Sequence, residues 1–101
     1  MLNRVNPPNR TGLCYQLAYQ FIFREKEGVL VHGQIYAGSP KHWMDHAWVE
    51  TGTGFVYEPV GNEFFPKKAF YTAFRAKPQA RFTPEKAMIA LMRNNHYGPW
   101  V

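Results

Sequence analysis

The sequence predicts a small α+β domain, in which an N-terminal helix packs on a short antiparallel sheet and one or two helices follow towards the C-terminus. Residues 14–25 repeat apolar side chains at the spacing of one helical face. Residues 29–58 hold short runs of β-branched and aromatic residues separated by glycines, which is typical of strands and hairpins. Residues 83–94 begin with Thr-Pro-Glu, a common helix start. Helices that flank hairpin strands, without a regular β-α-β alternation, indicate α+β.

The chain is expected to form a single domain over residues 1–101. A length of 101 residues is too short for two separate cores. Residues 1–10 contain two prolines and three asparagines and are predicted to be an extended N-terminal arm. A content of 46% hydrophobic and 17% aromatic residues excludes a disordered polymer. With no apolar run of membrane-spanning length, no signal-peptide pattern and one unpaired cysteine, we expect a cytoplasmic protein.

The first predicted element is a helix over residues 14–25 that buries one face. Its apolar side chains follow the i, i+3, i+4, i+7, i+8 pattern. They are Cys14, Leu17, Ala18, Phe21 and Ile22. Thr11 is the expected N-cap, and Gly28 is the expected end of the helix.

The middle of the chain predicts strands. Residues 29–37 form a strand in which Gly33 marks a bulge, and residues 38–40 (Gly-Ser-Pro) end it. Residues 46–51 and 55–59 then form two short strands around a Gly-Thr-Gly turn, which is a hairpin pattern.

The C-terminal part predicts two helices and one more strand. A short helix is expected over residues 66–74 with Pro66 in its first position. Residues 79–82 form a strand, and a helix capped by Thr83 extends to about Asn94. The aromatic tail that follows is expected to clamp onto the domain.

Cys14 is the only cysteine, which excludes an internal disulfide and every multi-cysteine zinc site. It falls in the first turn of the predicted helix, where unpaired N–H groups and the helix dipole favour an anion and therefore the thiolate. Gly12 allows a substrate to approach the sulfur closely. The alternative is that Cys14 fills the core, because it shares a face with Leu17 and Phe21 and free cysteines are often buried.

His46 opens the strand that follows, and a cysteine nucleophile needs such a base, oriented by a hydrogen-bond acceptor. Glu58 is the candidate acceptor. If the hairpin loop holds an odd number of residues, with Glu50 opposite Gly54, the numbers of paired residues sum to 104 and His46 directly faces Glu58. A two-residue loop would place Glu58 on the opposite face. A Cys-His-Glu triad therefore predicts an odd loop.

Other residues offer alternatives for the site. Asp45 points to the other face if the strand is regular there, and Glu50 lies about 13 Å along the strand from His46. His32 is the reserve candidate for the base. His42 and His46 have the spacing of two zinc ligands on a helix, but their segment leads into a strand, which disfavours a metal site.

Two segments, TGLCYQLAYQF and DHAWVETGTGFVYEP, resemble the core of the transglutaminase-like branch of papain-like cysteine hydrolases. That family has Gly-x-Cys at a helix start, a His-Ala-Trp-Val-Glu strand, and an acid followed by proline at the end of the next strand. The match covers residues 12–59. The resemblance implies that Cys14 is the nucleophile, His46 the general base and acid, and Glu58 the orienting carboxylate.

The resemblance also bears on the surroundings of the triad. Papain-like peptidases place a glutamine before the cysteine as an oxyanion donor, and here Asn9 or Asn6 is the oxyanion-hole candidate, alongside the Cys14 backbone N–H. Gly12 and Trp48 are the candidates for lining the substrate cleft.

The positive charge lies in the C-terminal part of the chain. Residues 1–59 carry five basic and five acidic side chains, whereas residues 60–101 carry seven basic and two acidic ones, giving +5 overall. This excess points to an acidic substrate or partner. It also supplies the alternative function, a non-catalytic binding module that uses this basic third for nucleic acid or an acidic partner. Without a known nucleic-acid motif, a solvated cationic face is favoured over nucleic-acid binding.

The sequence thus predicts a thiol-dependent hydrolase that cleaves an amide or peptide bond through an acyl-enzyme intermediate. The mechanism needs no metal and no cofactor. A peptide or amide is the expected substrate, no membrane association is expected, and the oligomeric state is left open.

Overall fold

The computed structural model describes residues 12–100 and has the predicted α+β class. Its elements, in chain order, are α1 (Cys14–Glu25), β1 (Val29–Ala37), β2 (His42–Glu50), β3 (Phe55–Glu58), β4 (Glu63–Pro66), α2 (Lys67–Ala73), β5 (Lys77–Phe82) and α3 (Pro84–Asn94). The predicted arm over residues 1–10 and the predicted cap Thr11 lie outside the described residues.

The five strands form one antiparallel sheet in the order β4-β3-β2-β1-β5. The central pair, β1 and β2, is in register over nine residue pairs. The register between β1 and β5 shifts between His32 and Gly33, which confirms the predicted bulge. A side chain at Gly33 would place its Cβ 2.1 Å from the Lys77 carbonyl oxygen, so glycine allows the two backbones to approach this closely.

Several element boundaries differ from the predictions. β2 begins at His42 rather than His46, because all nine of its residues pair with β1. The prediction missed β4, whose exposed ends and apolar middle show no alternation. Pro66 precedes α2 as its N-cap rather than occupying its first position. α1 ends through Lys26 in the left-handed conformation, with φ of 60°, rather than at Gly28.

The sheet separates two apolar clusters. Side chains at alternate positions of β2 pack with α1, as Ala47 and Val49 do. Those at the intervening positions, such as Trp48, pack with Phe70 of α2 on the opposite face. His46 occupies a position of the second set, and this alternation places it on the α2 face of the sheet.

The C-terminal elements close the α1 side of the sheet. The Thr83 side chain accepts a hydrogen bond from the Lys86 backbone N–H, which confirms the predicted cap of α3. Trp100, 8% exposed, packs against Tyr19 and His32 and therefore clamps the tail onto the domain. No helix within residues 12–100 is long and apolar enough to cross a membrane.

Candidate active site

Cys14 is the first residue of α1 and lies in a cavity of about 370 Å³. Within residues 12–100, neither Leu13 nor an acidic side chain of the first turn caps the backbone N–H groups at this helix end, where an anion is favoured. Gly12, His46 and Glu58 line the same cavity, so the structure brings all three members of the predicted triad together.

The hairpin of β2 and β3 has the predicted parity but a different register. Thr51 N donates to Phe55 O at 2.8 Å across a loop of three residues, 52–54, which confirms the odd loop. The expected pairing of Glu50 with Gly54 was wrong, because Glu50 pairs with Val56 and the paired numbers sum to 106. Because side chains alternate with a period of two, a register shift of two residues leaves each side chain on the same face of the sheet.

This register leaves His46 diagonal to Glu58 rather than directly opposite. The ladder between β2 and β3 contains only two residue pairs, Val49 with Tyr57 and Glu50 with Val56. Beyond them, no backbone pairing joins the strands at His46, and side chains connect them instead. The N-terminus of α1 and the imidazole line the same cavity.

The His46 ring is bonded to the Glu58 carboxylate. His46 Nε2 lies 2.7 Å from Glu58 Oε2, and both side chains are buried. Because an ionised carboxylate only accepts, Nε2–H is the donor, and Nδ1 is the ring nitrogen that Glu58 leaves free. Trp48 lies parallel to the imidazole at 6.3 Å between ring centroids and supports its orientation.

Glu58 is itself held by backbone donors from the loop after β3. Val60 N donates to Oε2 at 3.1 Å, and Gly61 N donates to Oε1 at 2.6 Å. Burial alone would raise the pKa of the Glu58 carboxyl, but the hydrogen bonds from His46 and the two backbone N–H groups lower it overall. Glu58 is therefore a fixed, ionised acceptor.

The His46 pKa reflects both of its partners. Burial alone would lower it, but hydrogen bonds to the Cys14 and Glu58 side chains, together with their negative charges, raise it to about 9. At neutral pH this environment stabilises the protonated form of the His46 ring beside the Glu58 carboxylate. A cationic group beside a cysteine is the environment in which cysteines act as nucleophiles.

The other sequence-predicted site residues have different outcomes. Gly12 lines the cavity as expected. The expectation that Trp48 lines the cleft was wrong, because this residue is fully buried and its Nε1 donates to Tyr71 Oη at 3.2 Å. The oxyanion candidates Asn6 and Asn9 lie outside the described residues.

The rival acids and bases have other roles. Glu50 accepts hydrogen bonds from Tyr71 Oη at 2.5 Å and from Arg81 Nη2 at 3.2 Å. Its carboxylate is therefore paired with two residues from the C-terminal part of the chain. His32 packs against Tyr15 and does not line the Cys14 cavity. Within residues 12–100, no three side chains among His, Cys, Asp and Glu are grouped to hold a metal ion.

Sequence reasoning missed the two backbone donors that hold Glu58. No side-chain pattern identifies them, because Val60 and Gly61 contribute only their N–H groups. The only feature of the sequence that could point to this loop is Gly61, because a Cβ at this position would lie 3.0 Å from Glu58 Oε1.

No protein-family model matches this chain, and neither a curated protein nor a solved structure is significantly similar to it.

Proposed function

We propose that this protein is a thiol-dependent hydrolase that cleaves an amide or peptide bond, of the transglutaminase-like and papain-like type that its sequence resembles. The observation that carries the proposal is the convergence of Cys14, His46 and Glu58 in one cavity, with the imidazole hydrogen-bonded to the Glu58 carboxylate. Covalent catalysis requires a nucleophile, a base that takes its proton, and an acceptor that orients the base through a hydrogen bond.

In the acylation step, Cys14 Sγ attacks the substrate carbonyl carbon. His46 Nδ1 takes the thiol proton, and the carbonyl π electrons move to the carbonyl oxygen. The Cys14 backbone N–H, in the first turn of α1, is the donor proposed to stabilise that oxyanion. His46 then gives the proton to the leaving amine as the C–N bond breaks, which leaves a thioester on Cys14.

In the deacylation step, water attacks the thioester carbon while His46 Nδ1 accepts a proton from it. Collapse of the tetrahedral intermediate breaks the C–S bond, releases the acid and returns the proton to the Cys14–His46 pair. Throughout, Glu58 holds the ring through Nε2 at 2.7 Å. Neither step requires a metal or an organic cofactor. A reducing compartment such as the cytoplasm keeps this thiol free for reaction.

The alternative, a binding module that uses the basic C-terminal third, has less support from the local charges. Lys67 Nζ lies 3.7 Å and Arg81 Nη2 lies 3.2 Å from Glu50 Oε2, so both cations already have a buried carboxylate partner. Exposed pairs of this kind are weak, but they reduce the charge available to a polyanion.

The proposal is tested by the rate of Cys14 alkylation by iodoacetamide as a function of pH. The wild type is expected to react rapidly well below about pH 8.5. His46→Ala is expected to react slowly until the pH approaches about 8.5, where an ordinary thiol ionises. His42→Ala, which removes an exposed imidazole, is the matched control and is expected to behave as the wild type.

Turnover of fluorogenic peptide amides then tests hydrolysis, which is expected to be lost in Cys14→Ala. A thiol that stays inert until the protein is denatured would contradict the proposal and identify Cys14 as core filler. Strongly salt-dependent binding of single-stranded nucleic acid by the inert protein would then favour the binding-module alternative.

A further inference from the structure

We infer that a second cavity, adjacent to the one that holds Cys14, receives a positively charged side chain of the substrate, such as that of lysine or arginine. The inference rests on the proposed function, because it assigns a substrate class to the same site. The cavity has a volume of about 450 Å³ and shares Asp45 with the Cys14 cavity. Its lining comprises Tyr15, His32, Gly33, Asp45, Gln79, Ala80, Pro99 and Trp100.

Asp45 supplies the negative charge at the junction of the two cavities. It directly precedes His46 on β2 and is exposed. Its Oδ1 accepts one hydrogen bond, from Gln34 Nε2 at 3.3 Å, and no lysine or arginine in the part of the chain that the structure describes lies within ion-pair distance of it. The remaining lone pairs of this carboxylate suit an ammonium or guanidinium group.

Aromatic rings form the walls of the same cavity. Tyr15 and Trp100 both line it, and an aromatic face attracts a cation that lies within about 6 Å of the ring centroid. The Tyr15 pKa is raised to about 12, first by burial and then by the nearby Cys14 and Asp45, so the phenol stays neutral. Tyr15 therefore lies close to the nucleophile and to the acid that the cavities share.

His32 is a buried polar group in this cavity without a protein partner. It is 4% exposed, and neither ring nitrogen has a hydrogen-bond partner within residues 12–100. Its ring centroid lies 4.8 Å from that of Tyr15 and 5.0 Å from that of Trp100. An unsatisfied buried polar group is costly, and here both ring nitrogens are covered by the cavity wall.

The protonation state of His32 suits a cationic ligand. Burial lowers its pKa to about 4, so the imidazole is neutral at physiological pH and adds no positive charge to the cavity.

The local charges thus differ from the charge of the whole chain. Although the net charge is +5, no described lysine or arginine lines either cavity. The basic residues Lys67 and Arg81 face Glu50 instead. A basic substrate side chain therefore fits the site better than the acidic substrate that composition alone suggests.

The inference is tested first by binding, independently of Cys14 chemistry. The protein is titrated with N-acetyl-lysine N-methylamide and with its norleucine counterpart while NMR follows the His32 ring and the Trp100 indole N–H. Saturable shifts are expected with the lysine compound, with at least tenfold weaker binding of the norleucine compound and of the lysine compound to Asp45→Asn. Glu27→Gln removes an exposed carboxylate outside both cavities and is expected to bind as the wild type.

A second measurement connects the cavity to the nucleophile. Alkylation of Cys14 by a lysyl chloromethyl ketone is expected to be about tenfold faster than by the norleucyl analogue, and the ratio is expected to approach one in Asp45→Asn. Equal binding and equal alkylation rates for the two side chains would overturn the inference, while rapid reaction with iodoacetamide would still support the proposed hydrolase. Selective lysine binding to a protein whose Cys14 is inert would retain the cation site and overturn its role in hydrolysis.

Discussion

Replacement of Glu58 by glutamine tests the centre of the site, because it keeps the size of the side chain and removes its charge. The carboxylate accepts hydrogen bonds from His46 Nε2, Val60 N and Gly61 N. An amide has a single acceptor oxygen, and in either orientation its NH₂ group faces one of these donors. The variant therefore loses a counter-charge and leaves at least one of the three donors without its acceptor.

The magnitude follows from the His46 pKa. A rise from 6.5 to about 9 corresponds to about 3 kcal/mol of stabilisation, at about 1.4 kcal/mol per pKa unit. Because Cys14 and Glu58 both contribute, we assign about 1–2 kcal/mol to Glu58. The loss of a hydrogen bond to a charged group adds about 1–2 kcal/mol. We therefore expect Glu58→Gln to lower the free energy of unfolding by about 3 kcal/mol near pH 6.

The pH dependence separates these two contributions. The His46 pKa is raised on folding, so its stabilisation is fully present below 6.5 and is lost as the pH rises through about 9. The Glu58 pKa is lowered on folding, so its stabilisation is present above its unfolded value of 4.5 and is lost as the pH falls through the lowered value. The difference between wild type and variant is therefore greatest between pH 4.5 and 6.5. It is expected to fall to about 1–2 kcal/mol at pH 10, when only the loss of the hydrogen bond remains.

Urea denaturation of the wild type, Glu58→Gln and the control Glu27→Gln at pH 6 and pH 10 measures this difference. Glu27 is exposed and lies outside the Cys14 cavity, so its replacement is expected to change stability by less than about 0.5 kcal/mol. An equal loss for Glu58→Gln at both pH values would refute the role of the charged pair. A loss no larger than that of the control would refute the buried hydrogen-bond network itself.

Three further substitutions test the scaffold, with the free energy of unfolding as the measurement. Gly33→Ala places a Cβ 2.1 Å from the Lys77 carbonyl oxygen and is expected to destabilise the β1–β5 pair by about 3 kcal/mol or more. Thr83→Ala removes the acceptor for the Lys86 N–H and is expected to cost about 1 kcal/mol. Glu50→Gln is expected to cost about 1–3 kcal/mol above pH 4.5, because hydrogen bonds and nearby cations lower the Glu50 pKa despite burial, and the loss is expected to shrink as the pH falls below that value.

Each of these expectations has a contrary outcome. A neutral Gly33→Ala would show that β1 and β5 can separate locally without loss of stability. Thr83→Ser, which retains the hydroxyl, is the matched control for the cap and is expected to be nearly neutral. A loss in Glu50→Gln that does not vary with pH would mean that packing, rather than charge, sets the contribution of this residue.

Local patterns in the sequence were sufficient for most elements. The apolar period of α1, the Thr83 cap of α3 and the bulge at Gly33 depend on neighbouring residues along the chain, and the structure contains all three. β4 could not be predicted in this way. Its four residues, Glu63–Pro66, have no alternation, and they form a strand because β3 offers a free edge beside them.

The candidate site was likewise predictable only in part from the local sequence. Parity along β2 and β3 was enough to place His46 and Glu58 on one face, because side chains alternate with a period of two. The register was not predictable, because a shift of two residues keeps every face and changes only which residues are opposite. That shift leaves His46 beyond the paired part of the hairpin, where Val60 and Gly61 can fold back onto Glu58.

The sequence by itself determined the α+β class, the nucleophile candidate at a helix start, and the His46–Glu58 face, because each depends on spacing within a short segment. Tertiary structure decided that Trp48 is core rather than cleft and that Asp45 joins two cavities. It also decided that the cations nearest Glu50 are already paired. These properties depend on which distant segments pack against one another, and burial and charge compensation are set by that packing rather than by the local pattern.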